Sequence, residues 1–71
     1  MLTILYKNSK LSVNEDNCIN IEELIQHIIH KYDFQVNNPK IMFAGKILNN
    51  DVLLSNTDLN SLYYETRFIH E

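Results

Sequence analysis

One segment restricts the possible folds more than any other: the run from Asn20 to Asp33. Ile21, Leu24, Ile25, Ile28 and Ile29 recur there at helical spacing. Asn20 can cap the first turn, with Glu23 three residues later in a variant of the capping box. Glu22 and Glu23 suit the positive end of the helix dipole, and Lys31 suits the negative end. Asn37-Asn38-Pro39 blocks continuation, so the helix ends by about Asp33. It is the only strong helix in a chain of 71 residues. Its apolar stripe cannot be buried alone and needs the face of a sheet.

The rest of the sequence supplies that sheet in short pieces. Met1–Tyr6 is apolar and partly β-branched, at strand length. Lys7–Lys10 is turn-like, and Leu11–Val13 alternates, so the two strands form a hairpin. Asn14–Asn17 is a polar connection. Lys40–Ala44 reads as a third strand and Gly45 as the turn after it. Ile47-Leu48 is a brief strand, and Asn49–Asp51 a turn. Asn56–Asp58 can start a single helical turn holding Leu59. Tyr63–Ile69 reads as the last strand, with Tyr63 and Tyr64 packing against the helix. The alternative for that pair is stacking on a ligand. The pattern implies one α+β domain over residues 1–71. Its fold is β-grasp, a mixed four- to five-stranded sheet with one helix packed across it.

Composition excludes several function classes. The chain is 45% hydrophobic, too apolar for a disordered tail. Its net charge is −3, and the six Lys and Arg residues are scattered, so nucleic acid is not the expected partner. Cys18 is the lone cysteine, which rules out an internal disulfide or a Cys-x-x-Cys pair. No apolar run reaches the length of a membrane span or a signal peptide. A cytoplasmic or nuclear protein is expected. His27 and His30 stand three apart on the helix, but no third metal ligand is suggested. Cys18 precedes the helix cap, where a thiol can have a lowered pKa; the alternative is a partly buried small side chain. No catalytic motif is present, so no enzyme activity and no cofactor are expected.

At Lys40-Ile-Met-Phe-Ala-Gly-Lys46 the chain resembles the R-L-I-F-A-G-K strand and turn of the ubiquitin family. The match runs without a gap from Ile21, Glu22 and the helix, through Phe34 and Pro39, to Leu48, Leu54, Ser55 and Leu59. The resemblance implies that Ile41 and Phe43 point inward and Lys40 and Met42 outward. It also implies a protein-binding patch centred on Met42, bordered by Gly45 and Lys46. Ile69 of the last strand completes it, with Arg67 alongside. Lys46 matches a lysine used for chain linkage in the family; the alternatives are a solvated turn lysine or a rim charge that tunes partner choice.

The sequence departs from the family in four places. The first hairpin is about two residues shorter, so the apolar loop residue that extends the patch has no counterpart near Asn8-Ser9. Glu15 falls where the second strand would place a core residue. The last strand aligns only after a shift of one residue, since Glu65 would otherwise face the core. No Gly-Gly follows Phe68-Ile-His-Glu71, and conjugation by the family's route needs such a pair. The resemblance therefore implies a monomeric, non-covalent interaction module. It would be the N-terminal domain of a longer protein, docking that protein to ubiquitin-binding domains or proteasome subunits. The alternatives are a conjugated modifier whose tail lies beyond residue 71, and a tail-less subunit of a larger complex.

Overall fold

A computed structural model describes residues 1–71. Five strands and one helix follow in order: β1 (Leu2–Tyr6), β2 (Ser9–Val13), α1 (Ile21–Tyr32), β3 (Lys40–Phe43), β4 (Lys46–Leu48) and β5 (Thr66–Ile69). Short 3₁₀ turns occupy Glu15–Asn17 and Leu54–Asn56. The strands form one sheet in the order β2-β1-β5-β3-β4. β1 and β5 run parallel at its centre, and every other pairing is antiparallel. With α1 across one face, this is the β-grasp arrangement.

The helix begins and ends as its sequence dictates. The Asn20 side-chain oxygen accepts from the Glu23 N–H at 2.9 Å. Asp33 closes the helix in the left-handed conformation, φ 54°, and its N–H reaches the Ile29 carbonyl. Ile21, Leu24, Ile25 and Ile28 are buried. They meet Leu2 and Ile4 of β1, Leu11 and Val13 of β2, Ile41 of β3 and Phe68 of β5. Burying each such side chain contributes about 1.5–3 kcal/mol. Tyr6, Tyr32 and Phe34 close one end of this core, with ring centroids 4.9 Å apart for Tyr6–Phe34 and 5.7 Å for Tyr32–Phe34.

The first hairpin is tighter than the sequence suggests. Ser9 pairs with Tyr6, so only Lys7 and Asn8 make the turn, and β2 starts two residues before Leu11. The second hairpin turns on Ala44 and Gly45, both at positive φ (53° and 79°), the requirement of a type I′ turn. Glu15 lies outside β2. Its Oε1 stands 3.5 Å from the N-terminal ammonium and takes an N–H from Asn60 at 3.4 Å. Its Oε2 is enclosed without a partner.

Two expected elements shift. The late helical turn forms at Leu54–Asn56 rather than at Asn56–Asp58, although Leu59 is buried as expected. The last strand begins at Thr66, not at Tyr63. Register explains the change. Thr66 and Phe68 both face inward, and the Thr66 hydroxyl is satisfied by donating to the Leu59 carbonyl at 3.2 Å. That hydrogen bond ties the ends of a loop whose middle, Leu62–Tyr64, projects into solvent. Tyr63 and Tyr64 therefore do not pack against the helix.

Candidate protein-binding face

Strand alternation sends every second side chain to the sheet face opposite α1. On β3 these are Lys40 and Met42, and on β5 Arg67 and Ile69. The ladder pairs Met42 with Arg67, and Lys40 with Ile69. The shifted alignment of the last strand is therefore the one that forms: Glu65 is exposed and Thr66 takes the core position.

Two further apolar residues share this face. Ile47 of β4 pairs directly with Met42 and is 54% exposed. Leu5 of β1 pairs with Arg67. Sequence reasoning missed both. Ile47 sits in a strand of three residues, too short for an alternation pattern to show. Leu5 lies in an apolar run with no visible polar face.

Gly45 stands at the hairpin end beside Met42, and both line a shallow groove. Lys46 is exposed but pairs with Phe43, so its side chain leaves the strand on the side away from Met42. Thus Lys40, Met42, Arg67 and Ile69 come together on one face. Gly45 edges that face, and Lys46 lies around the corner from it.

The charge pattern is segregated. None of the nine Asp and Glu residues lies in a strand, whereas four of the six Lys and Arg residues do. Lys10, Lys40 and Arg67 ring the apolar side chains on the face opposite α1. The nearest carboxylate is Glu65, whose Oε2 takes an N–H from Arg67 at 2.9 Å. A protein of net charge −3 thus carries a locally basic sheet face.

The remaining candidates lie elsewhere. His27 is half-buried and His30 exposed on α1. Cys18 is half-buried, and its thiol pKa is raised by burial and by the nearby charges of Glu23 and Glu15. Cys18 is thus the partly buried small side chain and not a low-pKa thiol, because burial first, and two nearby carboxylates second, disfavour its thiolate. No group of three His, Cys, Asp or Glu side chains is placed to hold a metal ion. No helix is long and apolar enough to cross a membrane. Comparison with protein-family models, curated proteins and solved structures finds no match to this chain.

Proposed function

We propose that this domain is a non-covalent protein-interaction module of the ubiquitin-like type, docking the protein that carries it to partners in the ubiquitin and proteasome pathways. One observation carries the reading. The sheet face opposite the helix gathers Leu5, Met42, Ile47 and Ile69 inside a rim of Lys10, Lys40 and Arg67, on a protein that is acidic elsewhere. The resemblance of Lys40–Lys46 to the ubiquitin family's strand and turn supports it. Met42 suits such a surface, because its flexible, polarisable side chain adapts to different partners. The surrounding cations favour a partner with an acidic rim and set the rate of encounter. Such a small patch gives affinities of about micromolar.

The test is a ¹⁵N–¹H NMR titration with a helical ubiquitin-binding peptide and, separately, with a proteasomal receptor for ubiquitin-like domains. Amide shifts should cluster at Lys40, Met42, Ile47, Arg67 and Ile69, and Met42→Ala should abolish them. An absence of shifts with both ligands at millimolar concentration refutes the proposal.

A further inference from the structure

Beside this face the chain exposes three large apolar side chains in a row. Leu62 is 98% exposed, Tyr63 88% and Tyr64 57%. Single exposed apolar residues are ordinary, but a contiguous set marks a contact surface. The loop that carries them is held at several points. Leu59 is buried at one end and Thr66 at the other. The Ser61 hydroxyl accepts from the Tyr63 N–H at 3.0 Å. The Ala44 N–H donates to the Glu65 carbonyl at 3.4 Å, tying the loop to the β3–β4 turn. Tyr64 meets Phe43 edge-on, with centroids 5.9 Å apart.

Between the loop and Met42 runs an open groove of about 470 Å³, walled by Tyr63, Tyr64, Met42 and Gly45. Arg67 and Glu65, paired to each other, also line it. The groove is apolar along its walls and holds one guanidinium, already occupied by a carboxylate of the same chain. A second copy docked face to face does not fit, because it would set Lys40 and Arg67 against the same cations. A partner bearing carboxylates beside an apolar side chain matches both features.

We propose that Tyr63 and Tyr64 of this loop and the Met42 strand together form one docking groove for an acidic segment of a protein partner. In it, a partner carboxylate displaces Glu65 from Arg67, and an apolar anchor lies between Tyr64 and Met42. This rests on the interaction-module reading and extends it. The loop supplies the apolar contact that the shortened first hairpin cannot, and Glu65 holds the partner's place while the groove is empty.

Isothermal titration calorimetry tests this with a synthetic helical peptide carrying a glutamate run beside a leucine stripe, and with its glutamine analogue. Leu62→Ser and Tyr63→Ser alter exposed side chains only, and each should keep the wild-type melting temperature. Tyr63→Ser should weaken binding of the acidic peptide about tenfold, whereas Leu62→Ser, outside the groove lining, should leave it nearly unchanged. Glu65→Gln should tighten it about threefold, and more than Asp33→Asn, which removes the same charge on the helix side. The glutamine peptide should bind more weakly and respond to neither charge change. If Met42→Ala abolishes binding while Tyr63→Ser leaves it unchanged, the loop's role is refuted and the simpler module stands. If Glu65→Gln does no more than Asp33→Asn, the displacement is refuted. If neither peptide binds the wild type, the groove proposal is refuted, while the module reading stands or falls on its own NMR titration.

Discussion

Replacing Thr66 by Val tests what holds the exposed loop in place. The two side chains have nearly the same shape, so the change removes a donor without opening a cavity. The Thr66 hydroxyl is buried and donates to the Leu59 carbonyl at 3.2 Å. Removing one partner of a buried hydrogen bond costs about 1–3 kcal/mol, and the added methyl returns about 0.8 kcal/mol. The expected net loss is about 0.2–2 kcal/mol. In a domain of this size that lowers Tm by about 1–16 °C. Thermal unfolding followed by circular dichroism measures it, with Thr57→Val as the control at a half-buried site. Hydrogen exchange gives a local readout. The Ser61 and Tyr63 amides, bonded to the Asp58 carbonyl and the Ser61 hydroxyl, should lose protection beyond the global change. The α1 amides should lose only the global part. An unchanged or raised Tm, with Ser61 and Tyr63 as protected as before, refutes the idea that this hydroxyl anchors the loop.

Ile28→Ala removes a fully buried side chain from the centre of the helix stripe. The loss of about 2–5 kcal/mol is a large share of the roughly 4–11 kcal/mol total expected for a chain of this length, so denaturant unfolding should show a much lower midpoint. Glu15→Gln should flatten the acid limb of the stability curve. Burial alone would raise the Glu15 pKa, but its own backbone N–H, the Asn60 amide and the N-terminal ammonium together bring it below the ordinary value. A depressed carboxyl stabilises the fold above its unfolded pKa and loses that contribution as pH falls through the folded value. The wild type should therefore exceed the variant at neutral pH, and the gap should close in acid; a gap that widens in acid contradicts this. Tyr32→Phe should unprotect the free edge of β2. The Tyr32 hydroxyl takes the Ser12 N–H at 2.9 Å and donates to the Ser12 carbonyl at 3.1 Å, while Lys31 donates to the same carbonyl. Analytical ultracentrifugation should show more concentration-dependent association in the variant than in the wild type.

The helix was legible because its signals agree: a capping Asn, acids in the first turn, and five apolar residues at one spacing. The β3 strand and its turn were legible through Lys40–Lys46. The start of β5 was not. Tyr63, Tyr64 and Thr66 all favour strands, and only tertiary register decides that Thr66, a polar residue, goes inside. The carbonyl that makes this tolerable belongs to Leu59, seven residues earlier in an irregular loop. Lys40, Met42, Arg67 and Ile69 could be assigned to one face from sequence once a register was assumed. Ile47 could not, because its neighbour Met42 is known only from the β3–β4 ladder. The exposure of Leu62–Tyr64 runs against the ordinary expectation that apolar runs are buried, and such reversals mark surfaces rather than cores.

The central position of β5 also constrains how the protein is made. β5 is the last strand of this sheet to leave the ribosome, yet it alone joins the β1–β2 hairpin to the β3–β4 hairpin. Until Thr66–Ile69 emerge, the nascent chain holds two hairpins, each marginal by itself, and a helix with no complete surface to cover it. At about 5–20 residues per second, synthesis of 71 residues takes several seconds, and the Ile21–Ile28 stripe stays open to chaperones for much of that time. Folding of this domain then becomes a single late event that needs contact between its first and last strands. Loop-closure entropy makes such an event slow compared with a helical bundle of equal length. A chain stalled or cleaved before Thr66 would therefore persist not as a smaller folded domain but as an exposed substrate for quality control.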